Sequence, residues 1–253
     1  MEIIKEHLHE MSLETFDEEK ASDDLIFAFL KELNSQSADK NSTFTLTQLV
    51  MVILDIFIAG AQTTSTTIDL ALMITLMRPD LQEKLSAEIF KVIGHDGSPN
   101  YAERGKTPFV EATLLEVQRF FHIVPLSGPR RVLKTCELAG YTIPKNTTVL
   151  IDLRSVHMDK EFWKDPEVFR PERFLNANMQ VNNLERLMPF GIGRRKCLGD
   201  QLAKSCIFTF FVGILQSFHL KPSNADPLSL DLLPGITLSA RPYKIIFEKR
   251  SEK

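Results

Sequence analysis

The chain has 253 residues, 43% hydrophobic and 25% charged, with a net charge of −3. That is an ordinary globular composition with room for one large or two small domains, and its slightly acidic balance offers nucleic acid no basic surface, so no nucleic-acid partner is expected. Three cysteines, Cys136, Cys197 and Cys206, are an odd number in a long chain; they form no disulfide framework, they fit a reducing compartment, and no Cys-x-x-Cys or His-x-x-x-His pair suggests zinc.

The N-terminus, Met-Glu-Ile-Ile-Lys-Glu-His, is charged and reads as neither signal peptide nor anchor. Helices are predicted over residues 2–11 and 23–33, with loops at 14–20 and 34–41. Their apolar faces (Leu25, Ile26, Phe29, Leu30) have few partners nearby. A long helix follows. Thr45 and Gln48 make a capping-box pattern, and the apolar run continues to Met77, where Arg78-Pro79 stops it. Such a helix is about 50 Å long. Being apolar nearly all round, it is expected to run through the middle of a domain. Its longest unbroken apolar stretch, residues 49–61, includes Asp55 and is shorter than the roughly 20 residues a bilayer needs. The chain is therefore read as soluble.

The centre of that helix is Ala59-Gly60-Ala61-Gln62-Thr63-Thr64-Ser65-Thr66-Thr67. Small and hydroxyl-bearing residues are poor packers and poor helix formers. Two readings stay open: close helix packing with the hydroxyls bonded back to helix carbonyls, or a helix locally opened for something to approach.

Pro79 opens a helix to about Ile93, and Gly94 stops it. A loop at 95–106 leads to Thr107-Pro108 and a helix to about Phe121. On it, Glu116 and Arg119 stand three apart, on one face. Such spacing usually marks a surface ion pair, but the apolar neighbours Leu114, Leu115, Val117, Phe120 and Phe121 leave a buried one open. Pro125, Gly128 and Pro129 mark a turn. Strand segments follow at 130–134, 136–142 and 147–152, with a turn at 144–146. Residues 155–169 read as short helix and loop. Trp163 packs there, and His157 is a polar loop residue with no evident partner. The segment Phe169-Arg-Pro-Glu-Arg173-Phe174 comes next. After Cys197 an apolar core helix runs to about Phe218 and includes Cys206. The tail, 220–247, reads as two or three short strands around Pro222, Pro227 and Pro234-Gly235. No repeat or linker separates independent domains.

The chain is organised around Leu187-Met-Pro-Phe-Gly-Ile-Gly-Arg-Arg-Lys-Cys197-Leu-Gly-Asp. A Gly- and Arg-rich turn delivers one cysteine to the start of an apolar helix. Helix amides and the cations Arg194, Arg195 and Lys196 favour a negative sulfur there, a soft nucleophile and a soft metal ligand. Three readings compete: a helix start that merely carries a cysteine, a phosphate loop, and a haem-iron ligand. The phosphate loop lacks the required Gly-x-x-x-x-Gly-Lys-Ser/Thr spacing. The full pattern, Phe190-x-x-Gly193-x-Arg195-x-Cys197-x-Gly199, closely resembles the haem-binding signature of the cytochrome P-450 haem-thiolate monooxygenases. Three further stretches resemble that family's motifs, in its order: the small-residue and threonine helix around Gly60 to Thr64, Glu116-x-x-Arg119, and Pro171-Glu-Arg173-Phe174.

The resemblance implies a mainly α fold with small β-sheets (α+β). It is the C-terminal half of the cytochrome P-450 fold, with a long central oxygen-binding helix and a cysteine haem loop followed by a core helix. Residues 1–253 are then a single partial haem domain of the eukaryotic microsomal type, without the family's membrane anchor or the helices roofing its substrate cavity. The implied cofactor is haem b (iron protoporphyrin IX), with Cys197 on the iron and Phe190 and Gly191 in the loop around it. Arg195 and Arg130 lie near its carboxylates, Arg131 being the alternative to Arg130. Thr63 matches the oxygen-activating threonine. Gln62 replaces the family's acid; it can orient a water but cannot give up a proton. Glu116, Arg119 and Arg173 form a structural network behind the cysteine. Residues 123–126 and 232–236 reach the substrate. The implied reaction inserts one oxygen atom of O2 into a small lipophilic substrate, by hydroxylation or epoxidation. Its electrons come from NADPH through NADPH–cytochrome P-450 reductase, at the cytosolic face of the endoplasmic reticulum membrane. The rival expectation is an inactive truncated fragment, or a haem-binding or interaction remnant, because without roof helices the long helix exposes an apolar face.

Overall fold

The computed structural model describes residues 2–12, 24–39, 41–223 and 228–250. The loop expected at 14–20 lies outside them, as do Asp23, Lys40 and Pro227. The chain divides into two compact units, Met1–Ala61 and Gln62–Lys253.

The first unit holds α1 (Glu2–Met11), α2 (Leu25–Ser35) and the first part of α3 (Leu46–Met77). Asp24 caps α2: its carboxylate accepts the Ile26 and Phe27 amides at 2.7 and 3.1 Å. Thr45 Oγ1 accepts the Gln48 amide at 3.0 Å, the capping bond the sequence suggests for α3. The helices expected to lack partners have one another. Ile4, Leu30 and Leu49 are buried together, with Met11, Ile26, Phe29, Val50 and Ile53 around them.

The first half of α3 does not run through a core as expected. Met51, Leu54, Phe57 and Ile58 are exposed, the last two by 71% and 74%. Among the described residues, α3 is the one helix long and apolar enough to cross a membrane; its best 18-residue window has a mean hydropathy of 1.6. The unbroken 49–61 run understated this, because the helix continues well beyond it. Core helices of globular proteins pass the same test of length and composition.

In the second unit α3 continues unbroken through the threonine cluster. Ser65 Oγ donates to the Gln62 carbonyl (3.1 Å) and Thr67 Oγ1 to the Thr63 carbonyl (2.9 Å). These two hydroxyls bond back to the helix, as the first reading has it, but Ala59 to Gln62 are exposed rather than closely packed, which leaves that face open to something approaching. Farther on, α3 packs into the main core through Leu70, Met73 and Leu76. Helix α4 (Pro79–Val92) adds Leu85 and Ile89, and Gly94 follows it at φ +81°. The expected loop at 95–106 contains a turn of 3-10 helix, Tyr101–Lys106, capped by Asn100. Helix α5 (Pro108–Phe121) starts on the Glu88 carboxylate, which accepts the Phe109 and Val110 amides at 3.1 and 2.8 Å.

Four short strands follow: β1 (Arg130–Arg131), β2 (Cys136–Leu138), β3 (Tyr141–Ile143) and β4 (Thr148–Val149). Strand β1 pairs antiparallel with β4, and β2 with β3. The segment 136–142 is therefore not one strand. It reverses at Ala139 and Gly140, both at positive φ (+50° and +82°), as a tight hairpin turn requires. Two short helices, α6 (Leu153–His157) and α7 (Lys160–Trp163), precede the 3-10 turn Pro171–Phe174. Helix α8 (Asp200–Ser217) places Ile207, Phe208, Phe211 and Leu215 in the main core, and Cys206 is only half-buried. Strands β5 (Phe218–Pro222) and β6 (Ile245–Lys249) close the chain as an antiparallel pair. The Gln82 amide locks β5 to α4, donating to the Leu220 carbonyl and accepting its N–H. The architecture is mainly α with small antiparallel sheets, as the sequence led one to expect.

Candidate functional site

The site rests on a buried ion network. Glu116 and Arg119 lie one turn apart on α5, and their side chains are fully buried. Glu116 Oε2 accepts Arg119 Nε–H at 2.7 Å. Its Oε1 accepts from Arg119 Nη2 (2.8 Å), Arg173 Nε (3.0 Å) and the Arg170 amide (2.9 Å). Arg119 finishes on the carbonyls of His157 (2.8 Å) and Pro166 (2.9 Å). Arg173 finishes on those of Trp163 (3.0 Å) and Val168 (2.8 Å). The Trp163 ring lies 5.4 Å from one guanidinium and 6.0 Å from the other. This decides for the buried pair over the surface one. Two cations share one buried carboxylate, and backbone carbonyls, with the Asp165 carboxylate 3.3 Å from Arg173, take their other N–H groups, which is what makes burial of the charges tolerable.

The cysteine loop is held mainly by its own backbone. The Gly191 amide donates to the Met188 carbonyl (3.0 Å), the Lys196 amide to the Gly193 carbonyl (3.1 Å), and the Cys197 amide to the Phe190 carbonyl (2.9 Å). Gly191 and Gly193 have φ of +69° and +72°, where a Cβ would meet open space. Glycine is needed there for its backbone freedom, not to make room within the chain. Residues Gly193–Arg195 form a 3-10 turn, and Cys197 stands three residues before α8, just outside the helix whose start was expected to carry it. Asp200, at the head of α8, binds Lys196 Nζ at 2.6 Å, with Lys204 Nζ at 3.9 Å. The Lys196 ammonium holds the Asp200 carboxyl below its ordinary range. Lys204 also lies 5.3 Å from the Phe190 ring centre. Cys197 is exposed, as are Ile192 (73%), Leu198 (86%) and Leu202 (60%).

His157 is not the polar loop residue the sequence suggests. It ends α6, is 1% exposed, and its Nε2 accepts the Met188 amide at 3.1 Å. Burial pushes its ring down to about 4 from the ordinary 6.5, and the nearby His122 and Arg119 add to this. The available signal was Asp152, whose carboxylate caps the helix through the Ser155 amide (3.1 Å). It sets Leu153 and His157 four apart on one inward face.

The structure thus brings Glu116, Arg119 and Arg173 together, and, in a second group, Phe190, Gly191, Arg195 and Cys197. Arg130 stands half-buried on β1 opposite Val149, with exposed Arg131 opposite Thr148. Gln62, exposed, and Thr63, half-buried, stand in the middle of α3. The Leu238 amide donates to the Ile123 carbonyl at 2.8 Å. This joins the chain beyond 232–236 to the segment after α5.

Haem fits these residues. Among the described residues no group of three or more His, Cys, Asp or Glu side chains could hold a metal ion. The exposed thiol lies in a run with exposed Ile192 and Leu198 and the basic Arg194 and Arg195. That donor set suits a flat apolar macrocycle with an acidic edge.

Comparison with known proteins agrees. The family model described as cytochrome P450 matches residues 1–247. The chain is 51% identical to a probable cytochrome P450 305a1 of Drosophila melanogaster, over 99% of this chain and 50% of that protein. It is 41% identical to human cytochrome P450 2J2, over 88% of this chain and 44% of that protein. It is 39% identical to bovine cytochrome P450 2U1, over 98% of this chain and 45% of that protein. The chain spans about half the length of the curated relatives it matches. With a cysteine loop, a buried Glu–Arg–Arg network and a long threonine-bearing helix on one framework, the chain belongs to the cytochrome P450 family.

Proposed function

We propose that this chain is the cysteine-ligating part of a haem-thiolate monooxygenase. Residues 1–253 would serve as one partial haem domain. The observation that carries the reading is the exposed Cys197, on a turn held by the 2.9 Å bond from its own amide to the Phe190 carbonyl. Haem b, when bound, supplies dioxygen activation and transfer of one oxygen atom to a small lipophilic substrate by hydroxylation or epoxidation. The protein's own groups do the rest. The Cys197 sulfur is the iron ligand and donates electron density. Phe190 and Gly191 shape the loop around the sulfur. Arg195 and Arg130 neutralise carboxylates at the cofactor edge. The Thr63 hydroxyl would hold a water and pass on its proton, and the Gln62 amide would orient that water without supplying a proton. Glu116, Arg119 and Arg173 keep the framework behind the loop fixed.

Electrons would come from NADPH through NADPH–cytochrome P-450 reductase, at the cytosolic face of the endoplasmic reticulum membrane. This assignment rests on membership of the family and on the resemblance to its eukaryotic microsomal type. The test is reductase-dependent NADPH oxidation by the haem-loaded chain with a panel of small apolar substrates under labelled dioxygen. Label in the product at one atom per turnover supports the reading, and NADPH use unchanged by Cys197→Ser overturns it. The exposed Met51, Leu54, Phe57 and Ile58 favour a second reading, in which this chain alone is an inactive haem-binding or interaction remnant. Haem uptake without any reductase-dependent NADPH use would select it.

A further inference from the structure

His157 joins the two groups of residues described above. Its carbonyl oxygen accepts from Arg119 Nη1 at 2.8 Å, and its ring Nε2 accepts from the Met188 amide at 3.1 Å. One residue thus takes a bond from the buried ion network and another from the head of the cysteine loop. A backbone N–H can only donate, so Nε2 carries no proton and the neutral ring holds its proton on Nδ1. Nδ1 is buried and has no hydrogen-bond partner among the described residues. An imidazole buried with one nitrogen unsatisfied is a costly way to fill space, and an apolar ring would avoid that cost. The polar bond the ring does make is the one to Met188. From there the path to the sulfur is short. The Met188 carbonyl accepts the Gly191 amide at 3.0 Å, and the Phe190 carbonyl accepts the Cys197 amide at 2.9 Å.

We propose that His157 is a positioning residue for the cysteine loop: its ring Nε2 fixes Met188, and through the Met188–Phe190 backbone it fixes the peptide that presents Cys197. The importance of that task rests on the reading of Cys197 given above. His157 itself touches neither substrate nor cofactor.

Two substitutions separate this role from simple packing. His157→Phe keeps a ring and removes the acceptor. His157→Gln loses the ring and restores an acceptor at similar reach. Two readouts need no cofactor: hydrogen exchange of the Met188 amide, and the rate of Cys197 alkylation relative to exposed Cys136 in the same chain. The Phe variant should speed Met188 exchange about tenfold, the equivalent of one lost hydrogen bond, and should change the Cys197-to-Cys136 rate ratio. The Gln variant should return both to the parent values. A packing role predicts the reverse order, with Gln worse than Phe, and that result overturns the proposal. So does a Phe variant whose Met188 exchange and rate ratio are unchanged. Cys197→Ser is run beside them with haem. If it keeps a thiolate spectrum while the His157 results hold, the site reading fails and the loop-positioning role stands.

Discussion

Two regions of the second unit handle charge in opposite ways. Around Glu116, the partners are almost all inside: two guanidinium groups and the backbone carbonyls of the 157–168 segment, with both α5 side chains fully buried and only the Asp165 carboxylate, on Arg173, reaching the surface. Around Cys197, the cations and apolar side chains are outside, and the turn is held mainly by backbone bonds and two positive-φ glycines. The first region is complete as it stands. The second is a rigid turn with an open face. Rigidity and reactivity are thus supplied by different residues, and substitutions in the two regions should fail differently.

The largest effect is expected in the closed region. Glu116→Ala leaves Arg119 buried without a carboxylate and Arg173 with only the 3.3 Å contact to Asp165, which should cost about 3–5 kcal/mol of folding stability. Denaturant unfolding followed by circular dichroism measures it; a cost below about 1 kcal/mol would mean the charges are not held as a buried unit.

Next comes pH. The folded His157 ring titrates at about 4 and the unfolded ring at 6.5. The folded state therefore resists a proton that the unfolded chain accepts. Its stability from this source is whole above pH 6.5 and declines as pH falls towards 4, by about 3 kcal/mol in total. His157→Gln should flatten that slope in unfolding midpoints taken from pH 7.5 to 4.5. An unchanged slope would assign the acid sensitivity elsewhere.

A smaller effect is expected in the open region. Gly193→Ala forces a Cβ into the left-handed region, at about 1–2 kcal/mol. Since the Cβ would meet no neighbour, the penalty is strain alone. Gly193→Asn, whose side chain tolerates that region, should cost less. Haem occupancy and Cys197 alkylation rates rank the two, and equal losses would point to a clash with the bound group instead. The smallest effect is Lys204→Ala. It removes a 3.9 Å ion pair and a ring contact from a partly exposed side chain, worth under about 1 kcal/mol.

The sequence made the same distinction only in part. The long helices were legible because their punctuation is local: Thr45 before α3, Pro79 and Gly94 around α4, Pro108 at the head of α5. The Glu116–Arg119 pair was legible from its spacing and apolar neighbours, whereas Arg173 entered the network only through the family resemblance, since no local pattern links it to a helix more than 50 residues away. The Ala139–Gly140 hairpin was misread as continuous strand, because a β-like run on both sides outweighed one glycine. The 3-10 turn at Tyr101–Lys106 was missed because its evident start signal, Asn100, also reads as loop. His157 was set aside because its partner is a backbone amide 31 residues away, and no side-chain pattern encodes such a bond. The exposure of Phe57 and Ile58 goes against the expectation that the long helix runs through the middle of a domain and agrees with the rival one, that it shows an apolar face; hydropathy says what a helix prefers and not what lies beside it.

The central claim is that the open loop presents Cys197 to haem iron. The direct test is the absorption spectrum of the reduced, haem-loaded chain under carbon monoxide. A red-shifted thiolate band is expected in the parent chain and in Cys136→Ser and Cys206→Ser, and should vanish in Cys197→Ser. A thiolate band that survives Cys197→Ser, or that disappears with Cys206→Ser instead, would contradict the account.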